Sequence, residues 1–531
     1  MSLQEDLRNL TNDLHLRPYH PSKWLARGIV LLKLRFPELA VGDGYKACRL
    51  IEVSRMQHSK YTHYVKLEIA IDLCGRDTSA CRLPTELLSS SRGQDQIRSS
   101  LCEVEEKAIL LLAEALYFAN CFWEGLEVIR EKSERLLDCK ELVRLRKFIR
   151  AAYNDEEKEH QVDDCIMEDV MPLEREEQRR DGEIYIRPYP WMTADLLSRA
   201  PSVMADIKGN LKAASKSRCT LKSSNIREGM PLLDSYEKKI DVFGIFATTD
   251  LARHRRVLVD RSCMCAVDNP TNCCSSCCEI LPAEPIRAKC CKAAFCSKSC
   301  LNRAMTFYHA AICGKSFPKY ENAFQTGAVS AGRAAESLLL LRVLACAVSF
   351  PDLHPLNAPI INRMTSLYER SAVRRFSLAT DIVLPLEILE QLGIDIYANH
   401  DYDTWVLQTI LTRIRNNIRV CFTPEKTHVA INPLFTFFNH SCQPNVTYER
   451  DGTNWSSTLR LKTKCAIKAE DELFLSYISK EDLKKPVAQR QELLRAWLGS
   501  NCQCTRCKRR SRKSLRRTRT MSSHVHCTRH F

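Results

Sequence analysis

Two short runs of residues in this chain have the types and spacing that chemistry requires, Asn439-His440-Ser441-Cys442 and Cys502-x-Cys504-x-x-Cys507. Three thiols packed into six residues can take three corners of a tetrahedral zinc site, and they leave the fourth corner to a cysteine from elsewhere. Cys442 is the obvious candidate for that corner. We therefore predict a zinc ion that joins the two runs.

A second region, from Cys263 to Cys313, is the densest in cysteine of the whole chain. A CxxC pair reaches one ion from a tight turn, while a histidine and a cysteine four residues apart lie on one face of a helical turn. Both patterns occur here, so the region is predicted to bind zinc. The residues with this spacing are Cys274, Cys277, Cys290, Cys296, Cys300, His309 and Cys313.

Short strands are predicted to position the chemical residues. The segment around Gly244 indicates short strands, and His428 to Asn432 is a strand-like approach to Asn439. Leu459 to Leu461 alternates as a strand, and Glu472 to Tyr477 places every second residue on one face. A tyrosine at the end of such a strand usually belongs to the core. Its position relative to the other motifs decides whether it has a chemical role.

The order of these motifs resembles the SET-domain lysine methyltransferases. FFNHSCQPNV, then ELFLSY about thirty residues later, then CQCTRC, resemble the core and post-SET motifs of that family. The cysteine and histidine spacing between Cys274 and Cys313 is close to that of a MYND zinc finger. The resemblance covers roughly residues 240 to 507 and is closest to the SET and MYND domain family. It implies transfer of a methyl group from S-adenosylmethionine to a lysine of a protein substrate.

The resemblance also implies roles for individual residues. Asn439 and His440 would bind S-adenosylmethionine, and Gly244 with Phe246 would line the methionine end of that cofactor. Tyr477 would be the catalytic residue, which lies at the methyl-transfer channel and orients the amine. A post-SET zinc with four sulfur ligands and no position left for water would be structural. Its ligands would be Cys442, Cys502, Cys504 and Cys507.

The MYND resemblance implies two interleaved zinc sites. The first would pair Cys274 and Cys277 with Cys296 and Cys300. The second would use Cys290, His309 and Cys313, but the position three residues before Cys290, where a further ligand is expected, is Arg287. Either Cys291 substitutes for the missing ligand, or the second site is weak or empty.

The hairpin that approaches the cofactor departs from the family pattern. The usual first glycine of the pair is Val242, and the turn after Leu251 is Ala252-Arg253-His254-Arg255 in place of Gly-Glu. These departures favour an alternative function, a catalytically inactive SET and MYND scaffold that acts in protein-protein interaction or transcriptional regulation. The intact NHSC run and Tyr477 favour catalysis.

The predicted fold class is α+β, with a helical region followed by a SET β-fold. Trp24, Gly28, Ala40 and Ala47 have spacings that resemble a tetratricopeptide hairpin, and a later stretch matches less well. These helices either form a groove for a partner peptide or simply pack on the rest of the protein. The predicted domains are a tetratricopeptide-like region at 1–153, an acidic and polar linker at 154–230, a SET domain at 231–480 that contains a MYND-like finger at 274–313 and a helical insert at 325–418, a post-SET segment at 481–507 and a disordered basic tail at 508–531.

Much of the net charge of +15 is concentrated in the last two dozen residues. KRRSRKSLRRTR, from Lys508 to Arg519, carries eight basic residues, so it is expected to be disordered. It is either a solvated tail without a function of its own, or a nuclear-import signal or weak phosphate contact. A nucleic-acid-binding zinc protein is a second rival function, resting on this tail and on scattered arginines. We expect a reducing compartment, in the nucleus or the cytoplasm, because 27 cysteines are spread over the chain without a signal-peptide pattern. The longest apolar stretch, Leu338 to Phe350, is too short to span a membrane, so no membrane partner is expected.

Overall fold

The computed structural model describes residues 2–76, 83–133, 139–163, 172–224, 242–317, 327, 329–364, 372–449, 455–498 and 501–508. The chain divides into two compact units. The first comprises Met1–Ile184, Gly327–Ser330 and Arg375–Leu411, and the second comprises Tyr185–Thr326, Ala331–Arg374 and Thr412–Phe531. The predicted basic tail lies outside the described residues from 509 onward.

The first unit is helical. Four of its helices begin with proline, which suits the first helical turn because its φ angle is already helical and its missing N–H would have no partner there. The helical region predicted ahead of the SET β-fold is thereby confirmed. The helices are α1 (Leu3–Leu16), α2 (Pro21–Lys33), α3 (Pro37–Ser54), α4 (Thr62–Arg76), α5 (Pro84–Ser89), α6 (Ser91–Phe118), α7 (Phe122–Ser133), α8 (Lys140–Asp163) and α9 (Pro172–Arg180).

Small residues allow helices α2, α3 and α6 to approach closely. A Cβ atom at Gly28 would lie 2.6 Å from a methyl carbon of Leu111, and one at Gly44 would lie 3.2 Å from the Cα of Leu112. Trp24 is fully buried beside them. The helices thus pack closely at Gly28 and Gly44, while the tetratricopeptide assignment and its peptide groove stay predictions.

The acidic segment at 154–183 was expected to be a linker, but its described parts are ordered in regular structure. Helix α8 continues to Asp163, α9 covers Pro172–Arg180, and a short strand begins at Gly182. Glutamate, glutamine, lysine and arginine are good helix formers, so a charged run without an apolar stripe can still extend a helix. The low hydrophobicity of the segment suggested a linker, but low hydrophobicity does not distinguish a linker from a charged helix.

The predicted helical insert at 325–418 is divided between the two units. Its part in the first unit contains helix α15 (Leu384–Leu392). A buried charge cluster fixes this part to α2 and α3, because the Arg27 guanidinium donates to Asp43 at 2.7 Å and to Asp403 at 2.8 Å. The ammonium of Lys46 lies 3.6 Å from Asp403. Pairing these buried charges offsets the cost of removing them from water.

The second unit contains small sheets and short helices. Two antiparallel three-stranded sheets have the orders β5-β10-β9 and β12-β13-β4, and β2 pairs with β3, β6 with β7 and β11 with β14. The strands are β2 (Cys219–Ser223), β3 (Phe243–Ala247), β4 (Arg256–Arg261), β5 (Met264–Val267), β6 (Ile286–Arg287), β7 (Ala294–Phe295), β9 (Ile418–Phe422), β10 (Thr427–Ile431), β11 (Asn439–His440), β12 (Val446–Tyr448), β13 (Thr458–Thr463) and β14 (Phe474–Leu475). The chain passes from one unit to the other within strand β1 (Gly182–Tyr185) and again within strand β8 (Val373–Phe376).

The predicted strands around Gly244, His428 and Leu459 are confirmed as β3, β10 and β13. Two helices lie within the predicted helical insert at 325–418, beginning at Ala331 and at Thr404. The remaining helices of this part of the chain are α10 (Ala194–Leu197), α11 (Pro201–Ala214), α12 (Lys298–Phe307), α13 (His309–Ile312), α14 (Ala331–Val348), α16 (Thr404–Asn417) and α17 (Val487–Leu498). Among the described residues, no helix combines the length and apolar character that a membrane span needs.

One apolar core unites β2, β3, β4, β13 and the segments that flank the NHSC run. Leu221, Ile245, Leu461, Leu473 and Leu475 are almost completely buried in it. Burial of such side chains contributes roughly 1.5 to 3 kcal/mol each. The core therefore fixes the backbone on either side of the residues that the sequence assigned to chemistry.

Candidate active site and metal centres

Strands β11 and β14 bring the NHSC run beside the ELFLSY run. The two strands are parallel, with Asn439 opposite Phe474 and His440 opposite Leu475. The turn before β11 is held from β4, where the buried carboxylate of Asp260 accepts hydrogen bonds from the backbone N–H groups of Leu434 at 3.0 Å and Phe435 at 2.8 Å. Two motifs about thirty residues apart in sequence thus share one location.

Asn439 has its side-chain amide in a defined orientation. Its Nδ2 donates to the backbone carbonyl of Phe243 at 3.1 Å and to Oε1 of Glu472 at 2.6 Å. The amide nitrogen has only two hydrogens, so both are used in these bonds. The side-chain oxygen has no hydrogen-bond partner among the described residues, and it remains available as an acceptor.

Glu472 is the residue at this site that the sequence prediction missed. Its two carboxylate oxygens accept from the Ser224 hydroxyl at 2.9 and 2.8 Å, in addition to the bond from Asn439. Burial raises the pKa of Glu472, and the hydrogen bonds from Asn439 and Ser224 partly oppose that shift. A charged residue at the start of an otherwise buried apolar strand was the signal available in the sequence.

Gly244 is required for Glu472 to occupy this position. A Cβ atom at residue 244 would lie 2.1 Å from the Glu472 Oε1 and 3.1 Å from the Asn439 amide nitrogen. The glycine was assigned to close approach of a cofactor, and the structure places a carboxylate against it. Phe246 forms a bridge to the backbone of Glu472 two residues further along β3, and its ring is half-buried.

His440 links the NHSC turn to both the tyrosine and the sulfur cluster. Its Nδ1 accepts the backbone N–H of Tyr477 at 3.0 Å, and its Nε2 lies 3.4 Å from the sulfur of Cys442. Burial lowers the pKa of His440 to about 4, so the ring is neutral near pH 7. Because Nδ1 is the acceptor, the single ring proton is on Nε2 and points to the sulfur.

Tyr477 lies two residues beyond the end of β14 at Leu475, so hydrogen bonds and not the strand fix its position. Its hydroxyl donates to the carbonyl of Phe438 at 2.7 Å, and its ring centre is 5.3 Å from that of His440. The side chain also packs against the buried cysteine cluster described next. The tyrosine predicted to be catalytic therefore lies beside His440, one of the four residues predicted to bind the cofactor.

The predicted post-SET cysteines are brought together. The sulfurs of Cys442, Cys502, Cys504 and Cys507 all lie within 4.8 Å of one another, and all four residues are buried. Tetrahedral zinc with Zn–S bonds of about 2.3 Å separates its sulfurs by about 3.8 Å. The Cys442 and Cys507 sulfurs are 3.6 Å apart, which is far longer than a disulfide and suits a shared ion.

Arg490, on α17, is a further residue of this cluster that the sequence did not indicate. It is completely buried, and its Nε and Nη2 lie 3.4 Å from the Cys442 sulfur and 3.3 Å from the Cys507 sulfur. Four thiolates around one divalent ion carry a net charge of about −2, which a buried guanidinium compensates. The donor set and its surroundings fit zinc.

The finger region forms two separate clusters. Cys274, Cys277, Cys296 and Cys300 make the first, in which the Cys277 and Cys296 sulfurs are 3.5 Å apart. The second contains Cys290, Cys291, His309 and Cys313. Each cluster offers the four donors of a tetrahedral structural zinc site.

Cys291 takes the place of the ligand missing from position 287. Its sulfur lies 3.5 Å from Nε2 of His309, and the Cys290 sulfur lies 3.3 Å from the same nitrogen. Arg287 is an exposed residue of β6 and belongs to neither cluster. Of the two alternatives that the sequence left open, the geometry favours substitution by Cys291.

Comparisons with known proteins agree with this geometry. Residues 242–478 match the family model of the SET domain. A segment of 79 residues is 39% identical to a SET and MYND domain-containing protein of Dictyostelium discoideum. The segment covers 15% of this chain and 19% of that protein. A segment of 77 residues is 39% identical to the histone-lysine N-methyltransferase SET5 of Yarrowia lipolytica and covers 14% of this chain and 16% of that protein. A segment of 95 residues is 34% identical to the histone-lysine N-methyltransferase SET5 of Eremothecium gossypii and covers 18% of each chain. The matched segments span less than a fifth of these relatives.

Proposed function

Because this chain carries a SET domain, we propose that it is a protein-lysine N-methyltransferase that uses S-adenosylmethionine. The observation that carries the proposal is the convergence of Asn439, His440 and Tyr477 at the β11–β14 pair. The methyltransferase names of two matched relatives support it. The substrate would be a lysine of a histone or of another protein.

The polar groups beside Gly244 fit an amino-acid end of a cofactor. The free oxygen of Asn439 and the carboxylate of Glu472 are acceptors, and an ammonium group supplies donors and a positive charge to them. Gly244 has no side chain, so these acceptors lie close to the backbone of β3. When bound, S-adenosylmethionine supplies a methyl group activated on a sulfonium. Asn439, His440, Gly244 and Phe246 would hold it.

Tyr477 would position the lysine amine. Its hydroxyl proton is donated to the Phe438 carbonyl, so the phenolic oxygen presents lone pairs to any donor that enters the site. A neutral lysine amine can donate a hydrogen to that oxygen and keep its own lone pair for attack. Holding two reactants in line contributes up to roughly 7 to 11 kcal/mol, so the site needs no strong general base.

The post-SET cysteines would hold a structural zinc that completes the site. Zinc supplies a rigid link between Cys442, next to His440, and the segment from Cys502 to Cys507. His440 and Tyr477 both contact this cluster, so the fold of the segment fixes their positions. The two finger clusters would hold zinc as well, and the finger and the helices of the first unit would bind partner peptides.

Two measurements on the full chain test the proposal. Calorimetry with S-adenosylmethionine is expected to show one binding site, and incubation with labelled cofactor and histones or a lysate is expected to label protein lysines. The variant Tyr477→Phe should retain cofactor binding and lose transfer by about a hundredfold or more, because it removes the oxygen that orients the amine. No detectable cofactor binding by a fully zinc-loaded protein would refute the proposal.

A second candidate function is a SET scaffold without catalysis. The carboxylate of Glu472 lies directly over Gly244 and is already bonded to Asn439, and Val242 replaces the usual glycine. If Glu472 fills the place of the cofactor, the domain would serve protein binding only. Cofactor binding by Glu472→Ala but not by the natural chain would favour this candidate.

We also propose that the protein acts in the nucleus or the cytoplasm, where reduced cysteines are available for zinc. Imaging of fluorescent fusions with and without residues 508–531 tests whether the basic tail directs import. An extracellular or luminal location of the intact fusion would contradict the proposal.

A further inference from the structure

One face of the β12-β13-β4 sheet is unusually basic. The alternation of β13 buries Leu459 and Leu461 in the core and turns Arg460 and Lys462 outward. In the register of the sheet, Lys462 lies opposite Arg256 on β4. Like charges on facing positions of neighbouring strands destabilise a sheet, and of this pair only Arg256 has a carboxylate partner among the described residues, Glu449.

The turn that precedes β4 and the end of β2 extend this surface. The Arg253 Nε donates to the carbonyl of Lys464, and an Arg218 Nη donates to the carbonyl of Arg256, both at 3.1 Å. These bonds attach the side chains to the edge of the sheet, and their other donors have no hydrogen-bond partner among the described residues. We name the resulting surface the basic face. It consists of Arg218, Arg253, Arg255, Arg256, Arg460, Lys462 and Lys464.

Only one carboxylate among the described residues makes an ion pair with the basic face. Glu449 pairs with Arg256 at 2.8 Å. The bond from Arg256, together with the charges of Arg460 and Lys462, holds the pKa of Glu449 below its ordinary value. Seven cations therefore face a single anion, and most of them are exposed to solvent.

We propose that the basic face binds the phosphate backbone of a nucleic-acid duplex. Five of its seven cations are arginines, whose planar forks match phosphate oxygens in pairs. The outward positions of β13 and β4 carry no aromatic ring on which single-stranded bases would stack. They also offer no asparagine or glutamine to read base edges, so binding is independent of sequence. A duplex presents a denser and more regular row of charges than an acidic peptide.

Fluorescence anisotropy of the full chain with a mixed-sequence DNA duplex of about 30 base pairs, at salt concentrations between about 50 and 200 mM, tests this binding. The variant Arg460→Gln/Lys462→Gln keeps the basic tail but loses two charges from the face. Its affinity is expected to fall about tenfold or more, and the slope of log K against log salt should decrease by about 2. The charge-matched control is Arg92→Gln/Arg98→Gln, two exposed arginines of α6, and it should bind within twofold of the natural chain.

Two further arms keep the test decisive. Arg460→Lys preserves charge and should bind within about threefold, and unchanged zinc content of every variant shows that each one folds. An unchanged affinity and salt slope in Arg460→Gln/Lys462→Gln would overturn the proposal, because the tail would then account for binding. Tighter binding of a polyglutamate peptide than of the duplex would overturn it in favour of an acidic protein partner.

Discussion

The post-SET cluster and the second finger cluster have similar donors but very different surroundings. In the post-SET cluster all four cysteines are buried, and the side chains of Arg490 and His440 lie against their sulfurs. In the second finger cluster Cys290 is exposed. The sulfurs of Cys290 and Cys291 contact the His309 ring of the same cluster, and the Cys291 sulfur also accepts the backbone N–H of Ala293. One cluster is built into the candidate active site and the other is self-contained.

This difference indicates that the same ligand chemistry serves two purposes. A finger with little apolar core depends on its own ions to fold, so loss of an ion there is a local event. The post-SET ligand Cys442 is two residues from His440, whose ring also receives the N–H of Tyr477. Loss of that ion therefore reaches the residues proposed for chemistry.

The largest effect is expected from Cys502→Ser. One zinc should be lost and methyl transfer should fall by a hundredfold or more, because the segment no longer fixes His440 and Tyr477. Elemental analysis and labelled-cofactor assays measure the two effects. Cys465→Ser, an exposed cysteine outside every cluster, is the matched control and should change neither. Zinc content equal to that of the natural chain would contradict the prediction.

The next effect concerns Arg490. Replacement by methionine removes the buried positive charge beside two sulfurs while it keeps most of the side-chain volume. We expect the post-SET site to bind zinc 10- to 100-fold more weakly, as for other residues that support metal ligands. Competition with a chelator measures this affinity, with Arg495→Met on the exposed face of the same helix as control. Equal zinc retention by both variants would show that Arg490 only packs.

The sequence predicted these two clusters with different completeness. Cys502, Cys504 and Cys507 are close in sequence, and the SET resemblance supplied Cys442, so all four cysteines of the cluster were named. Arg490 was not, because a buried arginine and an exposed one look alike in a single helical run. The MYND resemblance supplied every other residue of the two finger clusters and left Cys291 as one of two alternatives.

The same limit explains the errors in the fold. Strands β3, β10 and β13 and the helices beginning at Ala331 and Thr404 follow apolar periodicity, which the sequence displays directly. The helices within the acidic segment have no apolar stripe to display. The surroundings of Glu472 and the composition of the basic face depend on which strands become neighbours. Those strands are far apart in sequence, so local periodicity does not reveal their pairing.

A third prediction concerns the cofactor side of the active site, where Glu472 supports Asn439 much as Arg490 supports Cys442. Glu472→Gln keeps the shape but removes the charge that accepts from Asn439 and Ser224. We expect the KM for S-adenosylmethionine to rise about tenfold while kcat stays within threefold. The reason is that the affected contacts hold the bound cofactor equally before and during transfer. Glu470→Gln, two residues earlier and exposed, is the control. A fall in kcat with an unchanged KM would place Glu472 in the transfer step.

The smallest effect on transfer is expected from the finger, and Cys291→Ser provides the sharpest test of its independence. The second cluster would keep Cys290, His309 and Cys313, three donors with a weaker fourth, so one zinc should become removable by a mild chelator. Methyl transfer to a short lysine peptide should change by less than about twofold, since no contact joins this cluster to Tyr477 among the described residues. Arg287→Ser on β6 should affect neither measurement. If zinc retention were unaffected, Cys291 would not be a ligand. If transfer fell as far as in Cys502→Ser, the two clusters would not be independent, and the finger would have to be counted as part of the active site.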